Sequence, residues 1–268
     1  MMKNFLIVLF SLMLFACSQN PITGRKQLTL VSDDQMNSMS LTEYQQFLTE
    51  NKSHVIASGG DVDLVKKVGS KIAKAVTDYM TEIGMGDRMK QYNWEFNVVR
   101  DSLANAWCMP GGKVVVYTGI LPLTKNETGL AVVLGHEIAH AIASHGNERM
   151  SAQMLEELGF SALDMAMASK PEKTKAIFNN AIGMGVELGA MLPFGRKQES
   201  EADRMGLIFM AMAGYNPNDA INFWQRMAAL NGGKKVPEFL STHPSDETRI
   251  KNIQDKYLPE ALKYYKQQ

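Results

Sequence analysis

Two histidines and a glutamate within five residues constrain this chain more than any other feature. His136 and His140 are four residues apart, and Glu137 lies between them in the pattern His-Glu-x-x-His. On a helix, residues four apart share one face with about 5–6 Å between their Cβ atoms, so both imidazoles can hold one ion. Glu137 is rotated toward the edge of that face, where it is a poor ligand for the same ion but is placed to act as a general base.

The residues around this motif indicate a buried helix. The apolar run 130–134 precedes the motif, and the small residues Ala139, Ala141 and Ala143 surround its second half. Two imidazoles and a carboxylate are costly to bury unless a metal ion compensates them. The pattern therefore favours a zinc site, with one zinc ion per chain, over a pair of packed or solvated histidines.

A catalytic zinc ion needs a third protein ligand and an open fourth position. Downstream, Glu199-Ser-Glu201-Ala-Asp203 opens a predicted helix. Glu199 and Asp203 share a face of that helix, so Glu199 is the predicted third ligand and Asp203 the predicted acceptor for the N–H of a ligand histidine. Glu201 lies on a different face and is a poorer candidate. Taken alone, this acidic segment is also typical of an ordinary helix start.

Further motifs are spread over nearly the whole chain: Asn20–Arg25, Asn105–Gly112, Val116–Gly119, Gly135–His140, Arg196–Arg204, and Ser241–Pro244 with Arg249. In this combination the sequence resembles the M48 metallopeptidases, and in particular their periplasmic lipoprotein branch. The resemblance implies that His136, His140 and Glu199 are zinc ligands, that Glu137 is the catalytic base, and that Asp203 supports a ligand. It also implies a gluzincin-type fold with a small sheet edging the active-site cleft.

Hydrophobic periodicity agrees with a mainly helical α+β domain. Apolar residues at helical spacing, alternation and turn signals predict helices over 41–48, 62–80, 126–150, 198–213, 220–230 and 245–265, and strands over 94–99, 105–109 and 113–117. The metallopeptidase domain is expected to cover 27–268.

The N-terminus has the pattern of a secretion signal. Lys3 precedes an almost wholly apolar run that is too short to span a bilayer, so 1–16 is predicted to be a signal peptide. Cys17 follows a lipobox-like sequence, which predicts a lipidated N-terminus and polar tether over 17–26 and attachment to a membrane through the lipid. Ser18, in place of an aspartate, favours the outer membrane. The alternative is a plain signal peptide with an incidental cysteine.

His243 is the candidate whose role the sequence leaves open. It precedes a proline in a predicted loop and resembles part of a family motif. It is expected to stabilise the developing oxyanion as a catalytic residue. The alternatives are a fourth zinc ligand that closes the site and a structural loop histidine.

The functional prediction is a zinc-dependent endopeptidase of the bacterial cell envelope, facing the periplasm, that cleaves unfolded or misassembled envelope proteins. The alternative is a non-proteolytic, zinc-containing envelope chaperone or assembly factor. Lys and Arg total 28, as do Asp and Glu, so no overall field favours nucleic acid as a partner. The sequence does not define the oligomeric state.

Overall fold

The computed structural model describes residues 17–158, 171–182, 195–230, 239–240, 243 and 247–266. The predicted signal peptide, 1–16, lies outside these ranges, and the acylation of Cys17 stays a prediction. Within the described ranges, no helix combines the length and the apolar character that crossing a membrane requires.

Helices make up most of the described chain. They are α1 (Asp33–Glu50), α2 (Gly60–Glu82), α3 (Gly86–Met89), α4 (Leu121–Thr124), α5 (Glu127–Ile142), α6 (His145–Leu158), α7 (Pro171–Ile182), α8 (Arg196–Met212), α9 (Asp219–Leu230), α10 (Glu247–Asn252) and α11 (Leu258–Ala261). A 3₁₀ turn covers Thr118–Ile120, and a π-helical turn covers Ile253–Tyr257 between the last two helices.

Two small sheets accompany the helices in the described part of the chain. The strands are β1 (Cys17–Gln19), β2 (Lys26–Leu28), β3 (Val55–Ile56), β4 (Glu95–Val99), β5 (Ala106–Met109) and β6 (Lys113–Tyr117). β1 and β2 form an antiparallel pair, and the other four strands have the order β3-β4-β6-β5, in which only β4 and β6 are parallel. The predicted α+β class with mainly helical content is therefore confirmed.

Helix starts follow from capping residues. Ser32 caps α1 and forms a capping box with Gln35, which explains why this helix begins well before the predicted 41–48. Asn126 caps α5 by accepting a hydrogen bond from the N–H of Gly129. Each cap side chain satisfies one of the backbone N–H groups that the first turn of a helix leaves unpaired.

The prediction of one helix over 126–150 is wrong, because the chain breaks between α5 and α6. Ser144 adopts a positive φ of 56°, a conformation that ends a right-handed helix. Its hydroxyl accepts a hydrogen bond from Arg88 of α3. The break redirects the chain at His145, immediately after the motif helix.

The prediction of a polar tether over 17–26 also needs correction, since this segment belongs to the folded domain. β1 pairs with β2. Asn20 is buried and donates a hydrogen bond to Glu201 of α8, and Arg25 forms ion pairs with Glu148 of α6 and with Glu201. The domain boundary therefore lies before residue 27.

Two glycines allow α5 and α8 to cross closely at the centre of the core. A Cβ atom on Gly135 would lie 2.7 Å from the carbonyl oxygen of Gly206, and one on Gly206 would lie 2.8 Å from the backbone of Gly135 and His136. Only glycine permits this approach without a backbone shift. The crossing places the motif residues of α5 opposite the acidic residues of α8.

We expect Gly206→Ala to separate α5 from α8 and to lower the free energy of unfolding by about 1–3 kcal/mol, as overpacking of a core does. Gly60→Ala is the matched control, because a Cβ atom there meets nothing within 4 Å. Urea unfolding of both variants measures the difference. Equal stability of the two variants would contradict the role given to the crossing.

Candidate metal centre

The predicted site residues converge from three parts of the fold. His136, Glu137 and His140 lie on α5, Glu199 lies in the first turn of α8, and His243 follows the short described segment 239–240. All five side chains are buried. The backbone N–H of His243 donates to the carbonyl of Phe239, which holds the His243 backbone beside α5.

Four of these residues each point one possible ligand atom at a common centre. His136, His140, Glu199 and His243 offer atoms that all lie within 4.8 Å of one another. Nε2 of His136 lies 3.1 Å from Nε2 of His140 and 3.1 Å from Nδ1 of His243. The Glu199 carboxylate oxygens lie 3.0 Å from Nδ1 of His243 and 3.4 Å from Nε2 of each of the other two histidines.

These separations fit zinc. Zinc binds imidazole nitrogen and carboxylate oxygen at about 2.0–2.2 Å in tetrahedral geometry, which sets the ligand atoms about 3.3–3.6 Å apart. Five of the six pairwise separations are 3.0–3.4 Å, close to that edge length, and the sixth, between His140 and His243, lies within 4.8 Å. Three imidazoles and one carboxylate are also a donor set that zinc accepts. The residues present therefore suit the ion.

His243 takes the position of a fourth donor. Its Nδ1 faces Glu199 and His136, while its Nε2 lies 3.4 Å from Oε1 of Glu137. This arrangement corresponds to the alternative in which His243 closes the site, and it differs from that of a histidine confined to a structural loop.

Asp203 lies behind His136, as its spacing from Glu199 predicts. Its Oδ1 is 3.1 Å from Nδ1 of His136. Arg249 of α10 makes a bidentate contact with Asp203 at 2.7 and 2.8 Å, and lies 3.1 Å from Glu199. Its guanidinium group stacks on the ring of Trp224, 3.3 Å from the ring centre.

Burial and the neighbouring polar and charged groups together set the charge states of the centre, and for His136 the contacts with Asp203 and Glu199 outweigh burial and raise its pKa to about 9. Burial raises the pKa of Glu137 to about 8, and the nearby Glu199 carboxylate adds to this shift. Burial lowers the pKa of His140 well below its usual range and so keeps the ring neutral, as a metal ligand must be. Burial opposes ionisation of Glu199, but His243, His136 and His140 together hold its pKa well below the usual range.

Two features of the centre were missed by sequence reasoning. Arg249 was part of a recognised motif without a role, and its contacts with Asp203 and Glu199 depend on how α10 packs against α8. The contact of His145 with His140, at 2.8 Å between their Nδ1 atoms, depends on the helix break at Ser144. The position of His145, one turn beyond His140, predicts a packing or hydrogen-bonding residue but does not identify its partner.

A His-Glu-x-x-His motif on one helix, facing a glutamate on a second helix, is typical of one class of zinc metallopeptidases. Residues 67–257 match the sequence profile of Peptidase family M48. The chain belongs to this family.

Three proteins similar in sequence to this chain are named as metalloendopeptidases or as a protease, which is consistent with membership of the family. The chain is 35% identical over 242 residues to "Mitochondrial metalloendopeptidase OMA1" of Schizosaccharomyces pombe, covering 90% of this chain and 66% of the relative. It is 33% identical over 250 residues to "Metalloendopeptidase OMA1, mitochondrial" of Homo sapiens, covering 91% of this chain but 46% of the relative. It is 29% identical over 168 residues to "Beta-barrel assembly-enhancing protease" of Yersinia pestis, covering 61% of this chain and 34% of the relative.

These comparisons correct the predicted location. The matches that cover about nine-tenths of the chain are to mitochondrial proteins, whereas the match to the Yersinia pestis protein covers a smaller part. The assignments to a bacterial cell envelope and to the outer membrane are therefore wrong on this comparison. The metallopeptidase part of the prediction is unaffected.

We expect Arg249→Met to cost about 3–5 kcal/mol of unfolding free energy, because it leaves Asp203 as a buried charge without its partner. Arg204→Met is the matched control. Arg204 makes the same bidentate contact with Glu260, but their side chains are 33% and 29% exposed, against 6% and 3% for Arg249 and Asp203.

The control should lose about 1 kcal/mol or less, as exposed ion pairs do. Urea unfolding of the metal-free variants measures both losses. If Arg249→Met is no less stable than Arg204→Met, then Arg249 does not hold the centre together.

Proposed function

We propose that the chain is a zinc-dependent endopeptidase that acts on protein or peptide substrates. The observation that carries the proposal is the position of Glu137, which borders the four donors but is not one of them. A site that served only to stabilise the fold would need the ligands and no adjacent carboxylate. Membership of Peptidase family M48 supports the same conclusion.

The proposed roles follow from this geometry. His136, His140 and Glu199 would hold zinc, which when bound polarises a peptide carbonyl and activates water as the nucleophile. Glu137 would take the proton from that water and later deliver it to the leaving amine. Burial raises the pKa of this carboxyl, which makes its ionised form a stronger base.

We assign His243 to a closed resting arrangement of this enzyme. A catalytic zinc site keeps one position open for water or substrate. Nδ1 of His243 lies 3.0 Å from Oε1 of Glu199 and 3.1 Å from Nε2 of His136, and its Nε2 lies 3.4 Å from Oε1 of Glu137, so the ring would take the fourth position of a bound ion and contact the base. Proteolysis would require this side chain to withdraw.

β5 is the candidate strand for pairing with an extended substrate, and its four residues are buried in the closed arrangement. This strand is at the end of the sheet order β3-β4-β6-β5 and leads into the turn before β6. An edge strand can pair its backbone with an extended peptide, which fixes the peptide without selecting its sequence. β5 also packs beside α5, which carries the motif.

The fourth donor is the specific observation that favours a second candidate function. Four protein ligands around zinc are typical of structural sites. The second candidate is therefore a zinc-containing protein without proteolytic activity, in which His243 is a permanent ligand.

We expect Glu137→Gln to retain zinc and fold while losing nearly all cleavage of casein, because it removes a proton acceptor and no ligand. General acid–base catalysis contributes about 10²–10⁴ in rate, and a loss of that size is expected. Glu127→Gln, at the exposed start of the same helix, is the control and should cleave normally. Chelator-sensitive cleavage that survives Glu137→Gln unchanged would refute the general-base role.

We expect His243→Ala to raise basal cleavage of casein, since it opens the fourth position while three ligands remain. Steady-state kinetics of the zinc-loaded variant distinguish the possibilities. A fall in kcat of about 10²–10³ would identify His243 as an oxyanion donor instead. Absence of cleavage by the wild type and by His243→Ala, with zinc bound to both, would favour the non-proteolytic function.

A further inference from the structure

A series of side-chain contacts begins at Nδ1 of His140, on the side of the ring that faces away from the common centre. This nitrogen lies 2.8 Å from Nδ1 of His145. Nε2 of His145 lies 3.3 Å from Oε2 of Glu201. The same carboxylate accepts a hydrogen bond from Nε of Arg25 at 2.6 Å and others from Thr23 and Asn20. We call His145, Glu201 and Arg25 the support chain.

The protonation of the ring nitrogens determines which atom donates and which accepts in each hydrogen bond of the support chain. His140 turns Nε2 toward the common centre, so this atom must carry a lone pair to bind a metal and the proton must sit on Nδ1. Nδ1 of His145, 2.8 Å away, accepts a hydrogen bond from this N–H when it carries a lone pair. His145 then carries its own proton on Nε2 and donates it to Glu201.

The helix break at Ser144 is what allows this contact. On a continuous helix, His145 would be rotated by about 140° from His140, because successive residues turn by about 100°. The positive φ of Ser144 ends α5 and lets His145 approach His140 from the side. Glu201 lies on α8 away from the common centre, and it faces His145 and the segment between β1 and β2.

Arg25 fixes the outer end of the support chain. It binds Glu148 of α6 through two hydrogen bonds of 2.6 and 2.7 Å and Glu201 of α8 through one. Arg25 therefore joins the segment between β1 and β2 to α6 and α8, the two helices that carry His145 and Glu201. A guanidinium group has no lone pair to offer, so Glu201 can act only as an acceptor toward it.

We propose that His145, Glu201 and Arg25 are positioning residues that hold His140 in the tautomer and orientation needed to bind zinc through Nε2. The proposal rests on the proposed function, since it concerns the same metal centre. It gives the two ligand histidines different supports: a direct carboxylate, Asp203, for His136, and a relay through a second imidazole for His140.

The test compares His145→Leu, which removes the acceptor, with His145→Gln, whose side-chain carbonyl can still accept a hydrogen bond from His140. Asn147→Leu is the matched control: Asn147 is buried on the same helix, but its side chain contacts Val31 and Ser151. Arg25→Met is the second test variant, because it disturbs the outer end of the chain without altering the helix core.

Two measurements are made on each variant. Competition with a chromophoric chelator gives the zinc affinity, and long-range ¹H–¹⁵N spectra of the metal-free protein give the tautomer of His140. We expect the His145→Leu affinity to fall about 10–100-fold relative to Asn147→Leu, as loss of such supporting partners does elsewhere. We expect His145→Gln to recover part of the loss and Arg25→Met to show a smaller loss in the same direction.

In the metal-free wild type, His140 should carry its proton on Nδ1, and His145→Leu should populate the other tautomer. The proposal is overturned if His140 keeps the same tautomer in every variant and if the affinities of His145→Leu and Arg25→Met match that of the control. If His145→Leu does not fold, Arg25→Met and the wild-type spectrum decide. Failure of the proposed function would appear separately, as a wild type and a His243→Ala variant that both bind zinc with the expected His140 tautomer but cleave nothing.

Discussion

The metal centre depends on the close crossing of α5 and α8. Gly135 and Gly206 meet at distances that no Cβ atom tolerates, and one residue further along α5 is His136. The crossing sets the distance between the imidazoles of one helix and the carboxylates of the other. Without it, Glu199 and Asp203 would not reach His136 from α8. A purely backbone constraint therefore determines where the chemistry can take place.

Burying the carboxylates of α8 costs free energy, and two arginines offset this cost by pairing with them. Arg249 compensates Asp203 and Glu199 on the inner side of α8, and Arg25 compensates Glu201 on the outer side. Each arginine reaches a carboxylate that in turn contacts a histidine. Ion pairs of this kind add little net stability compared with apolar packing, but removing one partner is costly. They hold ligand side chains in one orientation, which is what a metal site requires.

Sequence reasoning reached the local part of this centre and not the long-range part. The spacing of His136 and His140, and of Glu199 and Asp203, expresses the geometry of single helices, and the structure brings these four residues together. The prediction of a strand over 113–117 has the observed bounds, because the pattern of a single strand is also local. The contacts of Arg249, the donor position of His243 and the folded state of 17–26 depend on tertiary packing, which periodicity does not encode. The break at Ser144 requires an unusual backbone conformation for a residue that is not glycine.

Zinc K-edge X-ray absorption of the loaded wild-type protein tests the central claim most directly. The account predicts one four-coordinate zinc ion per chain, with three imidazole nitrogens and one carboxylate oxygen at about 2.0–2.2 Å. The imidazoles would come from His136, His140 and His243, and the oxygen from Glu199. Fewer than three imidazoles in the first coordination shell, or a sulfur ligand at about 2.3 Å, would contradict the closed centre.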